Sequence, residues 1–269
     1  MNKNAVNELL QKESYNIDDL VKIMEILRSD GGCPWDREQT HKSIRNNLIE
    51  ETYEAVEGID NSDDAILKEE LGDVLLQVVF HARIAQEENS FDINDVADGV
   101  CKKLILRHPH IFSDVKAETS EKVLENWDAI KKEEKNQKTA ADTLKAVSSA
   151  LPALSRAAKL ASKAGKVGFT YPDISSAIYK AKEEFSELEK AIMSGNTANT
   201  EEEFGDLLFA VANAARLSGV NPEEALYKAN DKFVARFTRM ESIANDRGKQ
   251  LCELDVNNLL EFWRKAKKS

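Results

Sequence analysis

EEFSELEKAI (Glu183–Ile192) and EEFGDLLFAVANAARL (Glu202–Leu217) are the stretches whose reading decides the fold. Residues three and four apart on a helix share a face. Glu184 and Glu187 therefore project together, Glu183 lies beside Glu187, and Glu203 and Asp206 pair in the same way on the following helix. Phe185, Leu188 and Ile192, with Leu207, Leu208 and Val211, form apolar stripes that border the acids. The stripes predict that these two helices pack, with some of the carboxylates turned toward the seam.

The pattern occurs twice. Adding 133 carries Glu50, Glu51 and Glu54 onto Glu183, Glu184 and Glu187, and Glu70, Gly72 and Asp73 onto Glu203, Gly205 and Asp206. Further along, Lys103 and Arg107 match Lys232 and Arg236 at an offset of 129, and Trp127 and Lys131 match Trp263 and Lys267 at 136. Small drifts of offset in a constant order are what loop-length changes produce between duplicated units. Glycine inside a helix costs about 1 kcal/mol relative to alanine. Gly72 and Gly205 therefore predict a close backbone approach or a crowded helix contact.

Helical periodicity runs through the whole chain, with helices expected over about 43–59, 63–88, 93–107, 119–135, 151–164, 173–193, 200–218, 221–246 and 255–267, and an earlier one around Ile17–Leu27. The polar run KKEEKNQKT (Lys131–Thr139) reads as a linker or a frayed helix end. The expectation is an all-α chain of two tandem helical-bundle domains, 1–135 and 136–269. Only 5 prolines and 11 glycines among 269 residues argue against a turn-rich β architecture.

The net charge of −11 disfavours a nucleic-acid polymer, whose phosphates it repels. Cys33, Cys101 and Cys252 are far apart and form no CxxC pair, which fits a reducing cytoplasm and neither a zinc site nor a disulfide framework. The apolar run Val74–Phe80, interrupted by Gln77, is too short to span a bilayer, and the N-terminal stretch lacks the apolar segment of a signal peptide.

Carboxylates that face one another in a low-dielectric cleft cannot all stay ionised without a cation. Oxygen ligands of high charge, with no His or Cys nearby, suit Mg²⁺, with Mn²⁺ as its substitute. Lys232 and Arg236, at i,i+4, suit phosphate oxygens, and Lys180 precedes Glu184 by one turn. Trp263 offers a stacking plane and Lys267 a further positive charge. Metal, cations and an aromatic together describe a nucleoside triphosphate as ligand.

These residues resemble the MazG nucleoside triphosphate pyrophosphohydrolases. The first half carries GCPWDREQTHKSIRNNLIEETYEAVEGI, EELGDVLLQVVFHARIA, KLILRHPHIF and ENWDAIKKEEK; the second carries KVGFTYPDI, KAKEEFSELEKAI, EEFGDLLFAVANAARL and NDKFVARF. One departure is GFTYPD, where the family more often shows GFDWPD. The resemblance implies an all-α pyrophosphatase fold, a bundle completed by homodimerisation, and Mg²⁺-dependent cleavage of a nucleoside triphosphate to monophosphate and pyrophosphate. It implies that Glu184, Glu187, Glu203 and Asp206 ligate metal and that Glu183 positions or deprotonates water. Lys180, Glu183, Asn230, Lys232, Phe233, Arg236, Trp263 and Lys267 would hold the nucleotide. Glu50, Glu51, Glu54, Glu70 and Asp73 would form a second metal site.

Beyond Asp206 the inward face continues with Ala210 and Asn213, whereas the first half has Gln77 and Phe80, and Asn230 and Asp231 give way to Cys101 and Lys102. The smaller, more polar lining points to the second half as the main catalytic unit. His108-Pro109-His110 reads as a plain turn, or as a turn with a structural or nucleotide-edge role. Glu38-x-x-His41 has no second copy to build a di-iron site. No P-loop or GxGxxG occurs, and EELGD resembles only a fragment of a Nudix box. Two rivals compete with the main reading: a non-catalytic helical interaction protein whose acidic faces bind a basic partner, and a phosphatase or phosphodiesterase using the same acids.

Overall fold

A computed structural model describes residues 3–117 and 119–268, and every regular element among them is a helix. The chain forms two compact units, Met1–Ile130 and Lys131–Ser269. The first contains α1 (Lys3–Leu10), α2 (Ile17–Arg28), α3 (Pro34–Glu38), α4 (Arg45–Asp60), α5 (Asp64–Glu87), α6 (Ile93–Arg107) and α7 (Pro109–Phe112), and α8 (Ser120–Glu134) runs past its end. The second contains α9 (Ala140–Lys145), α10 (Ala153–Gly165), α11 (Ile174–Ser194), α12 (Thr197–Leu217), α13 (Pro222–Asn245) and α14 (Val256–Lys268). No helix among the described residues is long and apolar enough to cross a membrane.

Side-chain caps set the helix starts. The Asn16 side chain accepts the Asp19 amide while Asp19 answers to the Asn16 amide, closing a capping box on α2. Asp63 caps α5, Asp173 caps α11, Asn196 caps α12, and Asn221 with Pro222 opens α13. Each such cap is worth about 1 kcal/mol. Gly195, at φ 71°, ends α11 in the left-handed conformation. Of the polar run, residues 131–134 close α8, a turn follows at residues 135–136, and Thr139 caps α9.

Each unit is organised around a helical hairpin, α4 with α5 and α11 with α12, and each hairpin takes a helix onto its second member: α2 onto α5, α10 onto α12. In the first unit Met24, Ile44, Val79, Phe80 and Ile84 form the core. In the second, α13 pairs with α14 around Met240, Ala244, Phe262 and Ala266. Burying the Met, Ile, Val and Phe side chains among these contributes about 1.5–3 kcal/mol each.

Two expectations are corrected. The packed stripe of α11 is Ala177, Glu184, Leu188 and Ala191, and that of α12 is Ala210, Ala212 and Asn213. Phe185, Ile192, Leu208 and Val211 instead stay exposed in the single chain. Alanines on both sides let the helices approach closely, so the bulky stripe turns outward, and Glu184 is carried into the seam with the alanines. Nor is either helical glycine crowded: a Cβ added to Gly72 or Gly205 would meet nothing within 4 Å.

Candidate active site

In the second unit, α11 presents Lys180, Glu183, Glu184 and Glu187 along one to two turns, and α12 presents Glu203 and Asp206. Carboxylate oxygens of Glu184, Glu187 and Glu203 lie within 4.8 Å of one another. Glu184 is buried. The Lys180 ammonium lies 2.7 Å from Glu183 Oε1 and 2.8 Å from Glu184 Oε1, and these two hydrogen bonds push its pKa far up, so it stays charged. A hydrogen bond shared with Glu184, then desolvation, holds the Glu187 carboxyl above the usual range. One lysine among this many acids leaves excess negative charge at a partly buried point. A small, oxygen-preferring dication fits that donor set.

The first unit repeats the cluster with Glu51, Glu70 and Asp73, again within 4.8 Å. Burial, followed by the neighbouring Asp73, raises the Glu51 pKa; burial, followed by Glu54, raises that of Glu70. Glu54 thus belongs to this cluster, whereas Glu50 is exposed and does not join the tight three. The surroundings differ. Asn47 stands in the place of Lys180. Phe80, in the place of Asn213, is buried in the core with the Arg28 guanidinium 5.3 Å above its ring. Gln77 is buried, and its Oε1 has no hydrogen-bond partner among the described residues.

Beside the acids of the second unit lies a cavity of about 600 Å³, a size that suits a small ligand. Its apolar wall is Leu144, Leu160, Ala161 and Ala164 from α9 and α10, and its rim is the loop Gly168–Tyr171. Gly168, at φ 88°, lets that loop reverse where a side chain would strain it. From α11 and α12 come Lys180, Glu184, Asp206, Phe209, Ala210 and Asn213. Asp206 lines the cavity together with Glu184, beside the tight trio of Glu184, Glu187 and Glu203. Phe169, Thr170 and Tyr171 belong to the GFTYPD stretch where the chain departs from the family pattern, and no period in the sequence ties that loop to the acidic helices. Arg216, which holds Asn213, was equally hidden, although adding 133 carries Arg83 onto it.

Asn230, Lys232, Phe233 and Arg236 on α13, and Trp263 and Lys267 on α14, lie outside this cavity. Phe233 and Trp263 meet at 5.2 Å between ring centroids and line a separate apolar groove, with the Lys267 ammonium 5.8 Å over Trp263. Lys232 is exposed and Arg236 half-buried. His108, by contrast, has a structural place: Nδ1 lies 2.7 Å from the Leu104 carbonyl oxygen and the ring packs edge-on against Trp127.

The sequence profile of the MazG nucleotide pyrophosphohydrolase domain matches this chain twice, over residues 39–112 and 173–239. The chain belongs to the MazG family. Both matches contain an acidic cluster; the second ends before α14 and begins after α9 and α10, which supply the apolar wall of the cavity. Among relatives, a Thermotoga maritima protein named nucleoside triphosphate pyrophosphohydrolase/pyrophosphatase MazG is 46% identical over 250 residues, covering 93% of this chain and 95% of the relative. An Escherichia coli K12 protein named nucleoside triphosphate pyrophosphohydrolase is 43% identical over 257 residues, covering 94% and 97%. A Bacillus subtilis protein named YabN, of uncharacterized function, is 45% identical over 248 residues but twice as long, with 50% of it covered. As a MazG-family enzyme the chain is not the non-catalytic interaction protein weighed above.

Proposed function

We propose that this MazG enzyme hydrolyses nucleoside triphosphates between the α- and β-phosphates, releasing the monophosphate and pyrophosphate, and that the second unit is the main catalytic one. The observation that carries this is the convergence of Glu184, Glu187 and Glu203 within 4.8 Å, next to a cavity that Glu184 and Asp206 also line. These four carboxylates would hold Mg²⁺, with Mn²⁺ as its substitute. The bound ion supplies neutralising charge to the phosphate oxygens. Glu183 positions the attacking water and accepts its proton as the water oxygen bonds to the α-phosphorus. The bridging α–β bond breaks, and its electron pair leaves with pyrophosphate. Lys180, held between Glu183 and Glu184, adds fixed positive charge beside the reacting phosphates.

We further propose a homodimer. Ile178, Phe185 and Ile192 on α11, and Phe204, Leu208 and Val211 on α12, recur at helical spacing and remain exposed in one chain. Such contiguous apolar stripes mark an interaction surface. The open side of Gly205 leaves room for another backbone to approach. Lys232 and Arg236, with Asn230, Phe233, Trp263 and Lys267 near them, complete the phosphate and nucleotide contacts once that surface is covered. The three unpaired cysteines fit the cytoplasm, and the biological task is nucleotide-pool sanitation or control of a stress nucleotide.

Product analysis tests the reaction. With a nucleoside triphosphate and Mg²⁺, chromatography is expected to give monophosphate and pyrophosphate in equal amounts. Orthophosphate with diphosphate as the products contradicts it.

A further inference from the structure

Asn213 lines the cavity of the second unit, buried to 8% exposure, and its side chain is oriented from behind. Arg216 donates to Asn213 Oδ1 from Nε at 3.0 Å and from a terminal nitrogen at 2.8 Å. A guanidinium carries donors only, so the atom facing it must be the carbonyl oxygen and the amide NH₂ must turn away. Both lone pairs of that oxygen are thereby taken. Among the described residues the NH₂ itself bonds to none. The same guanidinium reaches Thr170 Oγ1 at 3.5 Å, which leaves the Thr170 hydroxyl proton free to donate. Around Arg216, then, the cavity presents the Asn213 NH₂ and the Thr170 hydroxyl as donors.

Asp206 and Asn213 sit seven residues apart on α12, about 10.5 Å along the axis. A nucleotide whose phosphates meet the acids therefore reaches Asn213 only with its far end, the base. We propose that Asn213, positioned by Arg216, selects nucleotides whose base turns a carbonyl oxygen toward it. At the pyrimidine 4-position or purine 6-position, uracil, thymine, guanine and hypoxanthine carry that oxygen, whereas cytosine and adenine carry an exocyclic amine. An amine brought against the Asn213 NH₂ sets donor against donor, so the hydrogen bond that a carbonyl would supply is lost. A site built around one hydrogen bond rejects the analogue that cannot make it. This selectivity rests on the triphosphate reading above.

The test compares kcat/KM for UTP against CTP and for ITP against ATP, pairs that differ at one edge, and equilibrium binding of UMP against CMP, which needs no turnover. The wild type is expected to favour the carbonyl member of each pair by about tenfold or more. Asn213→Asp keeps one oxygen on Arg216 and turns a second acceptor into the cavity, so the preference should invert. Arg216→Met frees the amide to flip, so the preference should shrink toward unity. If Asn213→Asp fails to fold by circular dichroism, the wild-type ratios and Arg216→Met decide. Hydrolysis with ratios near unity, or ratios unchanged in both variants, overturns the role of Asn213 and leaves the reaction standing. No turnover of any triphosphate, with UMP still bound more tightly than CMP, overturns the reaction and leaves the role of Asn213 standing. No turnover and no preference in binding overturns both.

Discussion

The Lys180 ammonium lies 2.8 Å from Oε1 of the buried Glu184, so the metal-site candidate already holds one positive charge of its own. A divalent ion entering the cluster must compete with that ammonium for the same oxygen. Lys180→Met should therefore bind Mg²⁺ or Mn²⁺ more tightly, by about threefold to tenfold in free metal, while turning over more slowly for lack of phosphate-facing charge. Isothermal titration with Mn²⁺ alongside steady-state kinetics checks both halves. Weaker metal binding in the variant would show that Lys180 helps assemble the site rather than contest it.

The carboxylate clusters make metal-free stability depend on pH. Glu187 and Glu70 titrate above their ordinary value of 4.5, so the folded chain holds their protons more tightly than the unfolded chain does. Their contribution is most favourable at low pH and is lost as pH rises from about 4.5 through the raised native values. A bound dication removes the repulsion that causes the loss. Thermal melts should show Mg²⁺ raising Tm by several degrees at pH 8 and by much less at pH 5. Equal shifts at the two values would mean that the ion binds elsewhere.

In the first unit His41 and His81 stack at 5.1 Å with their Nδ1 atoms 2.8 Å apart, a distance that allows one proton between them and not two. Burial and then His41 hold the His81 pKa below its ordinary 6.5. Above that value both states are neutral and nothing is lost; as pH falls from 6.5 through the native value, the unfolded chain takes the proton first and stability drops. Proton NMR should find His81 titrating below 6.5, and His81→Gln should flatten the pH dependence of stability in that window. Titration above 6.5 would contradict the shared-proton geometry.

Phe80 is a core residue of the first unit where the matching Asn213 lines a cavity in the second. Phe80→Ala should destabilise the first unit by about 3–5 kcal/mol in denaturant unfolding, with kcat changed less than twofold in native buffer. A large drop in kcat without unfolding would give the first unit a catalytic part.

Much of this was legible in the residues alone. The acidic spacing and the helix caps predicted the helices of both hairpins to within about three residues. What stayed hidden has two physical causes. On α11, Ala177-Glu184-Leu188-Ala191 and Ile178-Phe185-Ile192 are stripes about 100° apart, and only tertiary packing says which one the chain buries within itself. The site also depends on contacts without period: Arg216 reaching Thr170, and the α9 and α10 wall facing α12. The helical position of Gly205 suggested crowding, but its own chain leaves that side open, which no sequence pattern reports.

The matched pair Glu203→Gln and Glu70→Gln tests most directly the proposal that the acids of the second unit carry the reaction. Each removes one charge from an equivalent cluster. Steady-state kcat with a nucleoside triphosphate and saturating Mg²⁺ is predicted to fall by about 10²–10³ in Glu203→Gln and by less than tenfold in Glu70→Gln. Equal losses in the two variants would contradict it.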